Sequence, residues 1–107
     1  MGALLVMTNA PDRATAERIA QHLVEARLAA CVNILAECRS VYRWEGAVET
    51  AAEVPLLVKT EDAQYAAVER AIRALHPYEV PEVIAIAIDR GAAPYLEWLA
   101  AQVGPAA

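Results

Sequence analysis

One short link in this chain of 107 residues carries three donor side chains: His76, Glu79 and Glu82, set in His-Pro-Tyr-Glu-Val-Pro-Glu. An imidazole and two carboxylates offer the mixed nitrogen and oxygen donors that suit copper, zinc or nickel when they converge. Pro77 and Pro81 also stiffen the backbone here, so the segment reads first as a rigid joint with Tyr78 packed at a subunit boundary and second as a metal site. The chain holds two cysteines, Cys31 and Cys38. On one continuous strand, at about 3.3 Å per residue, they would stand roughly 23 Å apart and face opposite ways, which argues against a bridge. Cys31 follows Ala29-Ala30 and reads as a small buried apolar residue, whereas Cys38 is the thiol open to metal. Lys59 is the only lysine beside eight arginines. It ends an apolar run, and its ammonium is expected to reach Glu79, Glu82 or a carboxylate of another copy. Tyr42 and Trp44 share one face near a hairpin tip, a pairing that points to packing against a neighbour. His22, on the first helix, reads as a surface residue. No Ser, Cys or Lys stands in a motif that names a nucleophile and its base, so the chain does not read as an enzyme. A Gly-rich phosphate loop and a Cys-x-x-Cys pair are also missing from the sequence.

These residues need elements to hold them. Ala3 to Thr8 is a continuous apolar run closed by Asn9-Ala10-Pro11-Asp12, hence a buried strand and a turn. Asp12 can cap a helix over Ala14 to Ala30, with Ile19, Leu23 and Val24 on its apolar face. Cys31 to Trp44 and Ala47 to Thr60 flank Glu45-Gly46 and predict a long β-hairpin, with Pro55 at a bulge or on an unpaired side. Thr60 with Glu61-Asp62 suits the start of a second helix running to about His76, its apolar face made by Tyr65, Val68, Ile72 and Leu75. Pro77 stops it. Val83 to Ile88 predicts a last strand. After Gly91 a short helix carries Tyr95, Leu96, Trp98 and Leu99, with Trp98 a candidate interface residue.

The order β-α-β-β-α-β plus a terminal helix is α+β, the ferredoxin-like or split β-α-β arrangement, over one domain spanning 1–107. Right-handed crossovers put both long helices on one face of an antiparallel sheet. The other face should then be polar at alternate positions, yet the first and last strands are apolar on both sides. Leaving such a face wet costs several kcal/mol at about 25 cal/mol per Å². A second copy is the expected cover.

Composition narrows the function. A hydrophobic share of 58% supports one core, and a net charge of −5 from 9 basic and 14 acidic side chains repels phosphate backbones and anionic headgroups. Nucleic acid and membrane are therefore not expected partners. An RNA-recognition surface would also need exposed aromatics in a basic setting, and the chain contains no Phe. The first residues lack the pattern of a secretory signal, which leaves the cytoplasm as the expected compartment.

Taken together and in order, several segments resemble the CutA divalent-cation tolerance family. They are Ala10-Pro11-Asp12, Leu28 to Ile34, Ser40-Val41-Tyr42-Arg43-Trp44-Glu45-Gly46, Val58-Lys59-Thr60, His76 to Glu82 and Tyr95-Leu96-Glu97-Trp98. The resemblance implies a homotrimer similar in architecture to PII signalling proteins and a role in the response to metal ions. Copper or another divalent cation is then the implied ligand, with no obligatory cofactor; any partner protein is unknown. Thr8 and Leu75 stand where some members carry Cys and His, so a copper site built on those two ligands does not transfer, and His76 alone is retained. Glu37-Cys38 stands where many members have Pro-Gly. The competing expectation is a PII-like adaptor that holds a small ligand in clefts between subunits.

Overall fold

The structure, a computed structural model, describes residues 2–105; Met1, Ala106 and Ala107 of the expected domain lie outside them. Strand β1 runs Ala3–Ala10 and is followed by α1 (Arg13–Glu25), β2 (Cys31–Ile34), β3 (Cys38–Trp44) and β4 (Ala47–Glu61). A 3-10 turn over Asp62–Gln64 leads into α2 (Tyr65–Leu75), then β5 (Val83–Ala87) and α3 (Ala93–Gln102). The antiparallel sheet has the order β2-β4-β1-β5, and β3 pairs with the first half of β4. Counting β2 and β3 as one interrupted arm, this is the ferredoxin-like α+β fold.

Alternation decides which side chains enter the core. Val6, Thr8 and Ala10 of β1 and Val54, Leu56 and Val58 of β4 are buried. They pack with Ala16, Ile19 and Leu23 of α1 and with Val68 and Ile72 of α2. Helical stripes and strand alternation thus meet in one layer between sheet and helices. The two residues at the edges of the expected helical faces differ: Val24 is 43% exposed and Leu75 37%. Both stripes are narrower than the sequence pattern suggests.

Helix α1 starts as expected. Asp12 Oδ1 accepts from the Thr15 amide at 2.7 Å, and this bond holds the Asp12 carboxyl below its usual range. The helix ends earlier than expected, at Glu25, because Arg27 takes the left-handed conformation at φ 60°. Its guanidinium donates from Nε to the Gly104 carbonyl at 2.8 Å and from Nη2 to the Ala101 carbonyl at 3.0 Å. The Gly104 amide returns a bond to the Arg27 carbonyl at 3.0 Å, so the end of α1 fastens the end of α3.

Thr60 does not cap α2. Strand β4 continues to Glu61, and the buried Thr60 hydroxyl donates instead to the Leu28 carbonyl at 2.6 Å. A hydroxyl inside the sheet satisfies the loop after α1, which leaves the 3-10 turn to start the helix.

The hairpin is long and broken once. Ile34 pairs with Leu56 and Cys38 with Glu53, so Leu35 to Glu37 face only Val54 and Pro55. One strand therefore carries an extra residue, a bulge. The Pro55 carbonyl accepts from Leu35 at 2.9 Å, which turns its nitrogen to the same bulged edge, where no ladder bond to β1 is lost. Beyond the bulge, β3 and β4 overshoot the sheet and end in Glu45-Gly46, both at positive φ (49° and 82°). The overshoot contributes to a long axis of 47 Å against 25 and 23 Å across.

Candidate functional site

Odd-numbered residues of β4 face away from the helices, and this parity carries Glu49 and Glu53 onto the face that also holds Leu57 and Lys59. Tyr42 pairs with Glu49 and Trp44 with Ala47, so the aromatic side of β3 lies on that same face. Opposite the hairpin, the segment after α2 crosses the end of β1. Between them opens a cleft of about 750 Å³ lined by Asn9, Ser40, Val41, Tyr42, Trp44, Glu49, Glu53 and Tyr78 to Glu82. No Lys or Arg lines it.

His76 holds the far wall in place. The ring is buried, its Nδ1 accepts the Tyr78 amide at 3.1 Å, and its Nε2 donates to the Asn9 carbonyl at 2.6 Å. Tyr78 leans on the imidazole with ring centroids 4.6 Å apart. The Asn9 side chain in turn donates from Nδ2 to Glu82 Oε1 at 3.2 Å. The chain His76, Asn9, Glu82 thus ties the Pro-Tyr-Glu-Val-Pro link to β1. Burial, and then the charge of Glu53 with smaller contributions from Tyr42 and Asp12, pushes the Tyr78 phenol above its ordinary range.

The expected donors are only partly gathered. Glu79 and Glu82 line the cleft, while both nitrogens of His76 are already engaged within the chain. To bind a metal, His76 would have to release either Asn9 or Tyr78. Cys38 is exposed, faces Glu53 in the ladder and lies 3.9 Å from Ser40 Oγ. Among the described residues no three His, Cys, Asp or Glu side chains group closely enough to hold a metal ion. Among the described residues of one chain, the cation that the resemblance implies has no complete donor set.

Lys59 does not reach Glu79 or Glu82. It pairs with Cys31 across the ladder and donates from Nζ to Asn33 Oδ1, because the register places it over β2 and away from the link. Trp98 is exposed on α3 beside Tyr95, ring centroids 5.6 Å apart, and does not line the cleft. His22 is exposed, and Cys31 is half-buried. The residues that sequence reasoning missed are Glu49, Glu53 and Asn9. The first two were within reach, since a two-residue turn at Glu45-Gly46 fixes the register and puts Glu49 opposite Tyr42.

A ferredoxin-like fold with a bulged, overshooting hairpin defines the class of small α+β proteins to which the chain belongs. Residues 4–102 match the family described as CutA1 divalent ion tolerance protein, and the chain belongs to that family. The divalent-cation tolerance protein CutA of Thermus thermophilus is 44% identical over 100 residues, 94% of this chain and 97% of that protein. Mouse protein CutA is 43% identical over 89 residues; the match covers 83% of this chain and about half (50%) of the mouse protein. The solved Thermus thermophilus divalent cation tolerance protein superposes with a TM-score of 0.94 at 43% identity, covering 95% of this chain and 99% of that one.

Proposed function

We propose that the chain is the subunit of a cytoplasmic homotrimer that binds divalent cations, copper among them, in the response to metal ions, and that it acts by binding and not by catalysis. The observation that carries this reading is the uncovered sheet face. Leu5 and Met7 pair with Ile86 and Ile84 on one side, and Met7 pairs with Leu57 on the other. Ile84 and Ile86 are 48% and 54% exposed on a strand edge. A contiguous apolar face of this kind is stable in water when identical copies cover it. Membership of a divalent-cation tolerance family supports the metal. In this reading the metal sits where copies meet, with Glu79, Glu82 and Cys38 as donors and His76 joining by exchanging one of its present bonds; the lack of a three-donor group among the described residues of one chain supports a shared site.

The test is light scattering and Cu²⁺ calorimetry on protein stripped with a chelator. Three copies per particle and saturable binding are expected, with affinity falling about tenfold or more in Cys38→Ser or in a Glu79→Gln, Glu82→Gln double variant. A particle of one chain, or equal binding by every variant, overturns the reading.

A second reading, a PII-like adaptor holding a small ligand in clefts between subunits, is supported by the cleft that each chain would bring to such a boundary, whose volume falls within the range of small-molecule sites.

A further inference from the structure

We propose that the cleft between the hairpin and the His76–Glu82 link takes an organic polycation, an extended chain with several ammonium groups and apolar methylenes between them. The proposal deepens the small-ligand reading and gives that ligand its sign and shape. Two features of the cleft argue for it together. The first is the kind of lining: Tyr42 and Trp44 stand on one wall and Tyr78 on the other, all exposed to the cleft. Faces of aromatic rings attract ammonium groups and pack against methylenes, whereas hydrated inorganic ions gain little from them.

The second is how the charge is distributed. Glu49, Glu53, Glu79 and Glu82 all line the cleft, yet no three acidic, His or Cys side chains converge on one point among the described residues. Glu49 and Glu53 sit four places apart on one face of β4, roughly 13 Å along the strand. A metal ion needs its donors within about 2.6 Å of one centre. Carboxylates strung along a groove match charges strung along a chain. The wall that carries Tyr78 and Glu82 is already fixed by the His76 and Asn9 bonds, so little ordering is required of the protein on binding. The same lining repels nucleotides and other phosphates.

The experiment uses the purified full chain in chelator, in a Trp98→Phe background so that Trp44 is the only indole, with spermidine as the probe. Saturable quenching of Trp44 by spermidine is expected, at least about tenfold tighter than any response to Mg²⁺. Glu49→Gln with Glu53→Gln should weaken it by about tenfold. Trp44→Leu, followed by calorimetry, should weaken it by a similar factor while circular dichroism and particle mass stay unchanged. ATP should give no response. No saturable response to spermidine, an equal response to Mg²⁺, or variants that bind like the parent would each overturn the proposal. Particle mass, measured on the same samples, reports on the trimer independently of these titrations, and Cu²⁺ calorimetry reports on the metal.

Discussion

Asp12 shows how one carboxylate at a turn does two jobs. Its oxygen accepts the Thr15 amide and so starts α1, while its negative charge sits at the positive end of that helix. The bond to Thr15 is the main cause of the lowered pKa, with Arg18 a smaller one. A carboxyl whose pKa is lower folded than unfolded contributes stability that is present above its unfolded value and is lost as pH falls through the folded value. Asp12→Asn keeps the capping oxygen and removes the charge. Thermal melts across the acid range should therefore show the variant losing less stability between neutral and strongly acid pH than the parent; identical acid limbs would mean that the charge contributes nothing. His76 makes the complementary point about donors. From sequence it is a ligand type in a suggestive cluster, but a buried imidazole with two partners at 2.6 and 3.1 Å is also a strut, and only coordinates separate the two.

At the scale of elements, the joint between α1 and α3 is held by one residue in an unusual conformation. Left-handed backbone costs a non-glycine residue about 1 kcal/mol, and Arg27 accepts it while donating two bonds to the last carbonyls around α3. Arg27→Gly should relieve the strain and lose the bonds; Arg27→Ala loses the bonds and keeps the strain. The expected order of stability is wild type, then Gly, then Ala, with Ala about 2 kcal/mol below wild type in denaturant unfolding. Ala more stable than Gly would show that the backbone conformation is not strained. This joint was not legible in the sequence, because Arg-Leu-Ala-Ala carries no Gly or Asn to signal a left-handed turn. Most of the strand pattern and both long helices were legible, and a bulge was one of two places open to Pro55, since alternation, helical stripes and a missing amide donor are local properties of the chain; the break between β2 and β3 was not, because Leu35 to Glu37 carry no breaker. Thr60 misled for the opposite reason: Thr-Glu-Asp is a good local cap, and a buried bond to Leu28, 32 residues away, outweighed it. The cleft was half legible. Tyr42, Trp44, Glu79 and Glu82 are visible as types, but bringing them together depends on which face of β4 each strand presents and on the path of the link across β1.

For the whole molecule, the question is what covers the sheet face opposite the helices, and a substitution can be chosen that only an assembly would notice. Val6 is fully buried under α1 and α2, so shortening it to Ala weakens any form of the protein by about 1 to 3 kcal/mol. Ile86 differs: it is 54% exposed in one chain, on the edge strand β5, beside Leu5. In a lone chain Ile86→Glu would trade a half-wet apolar side chain for a solvated charge and cost little. Between copies the same glutamate would be taken out of water among Leu5, Met7, Leu57 and Ile84, and the one cation on this face among the described residues, Lys59, lies two strands away across Leu5 and is bonded to Asn33. Sedimentation should find wild type at three times the 11.5 kDa of one chain and Ile86→Glu at lower mass, with a melting temperature that has become insensitive to protein concentration. If Ile86→Glu leaves both the mass and the melting temperature of the parent unchanged, the apolar face is not where the copies meet.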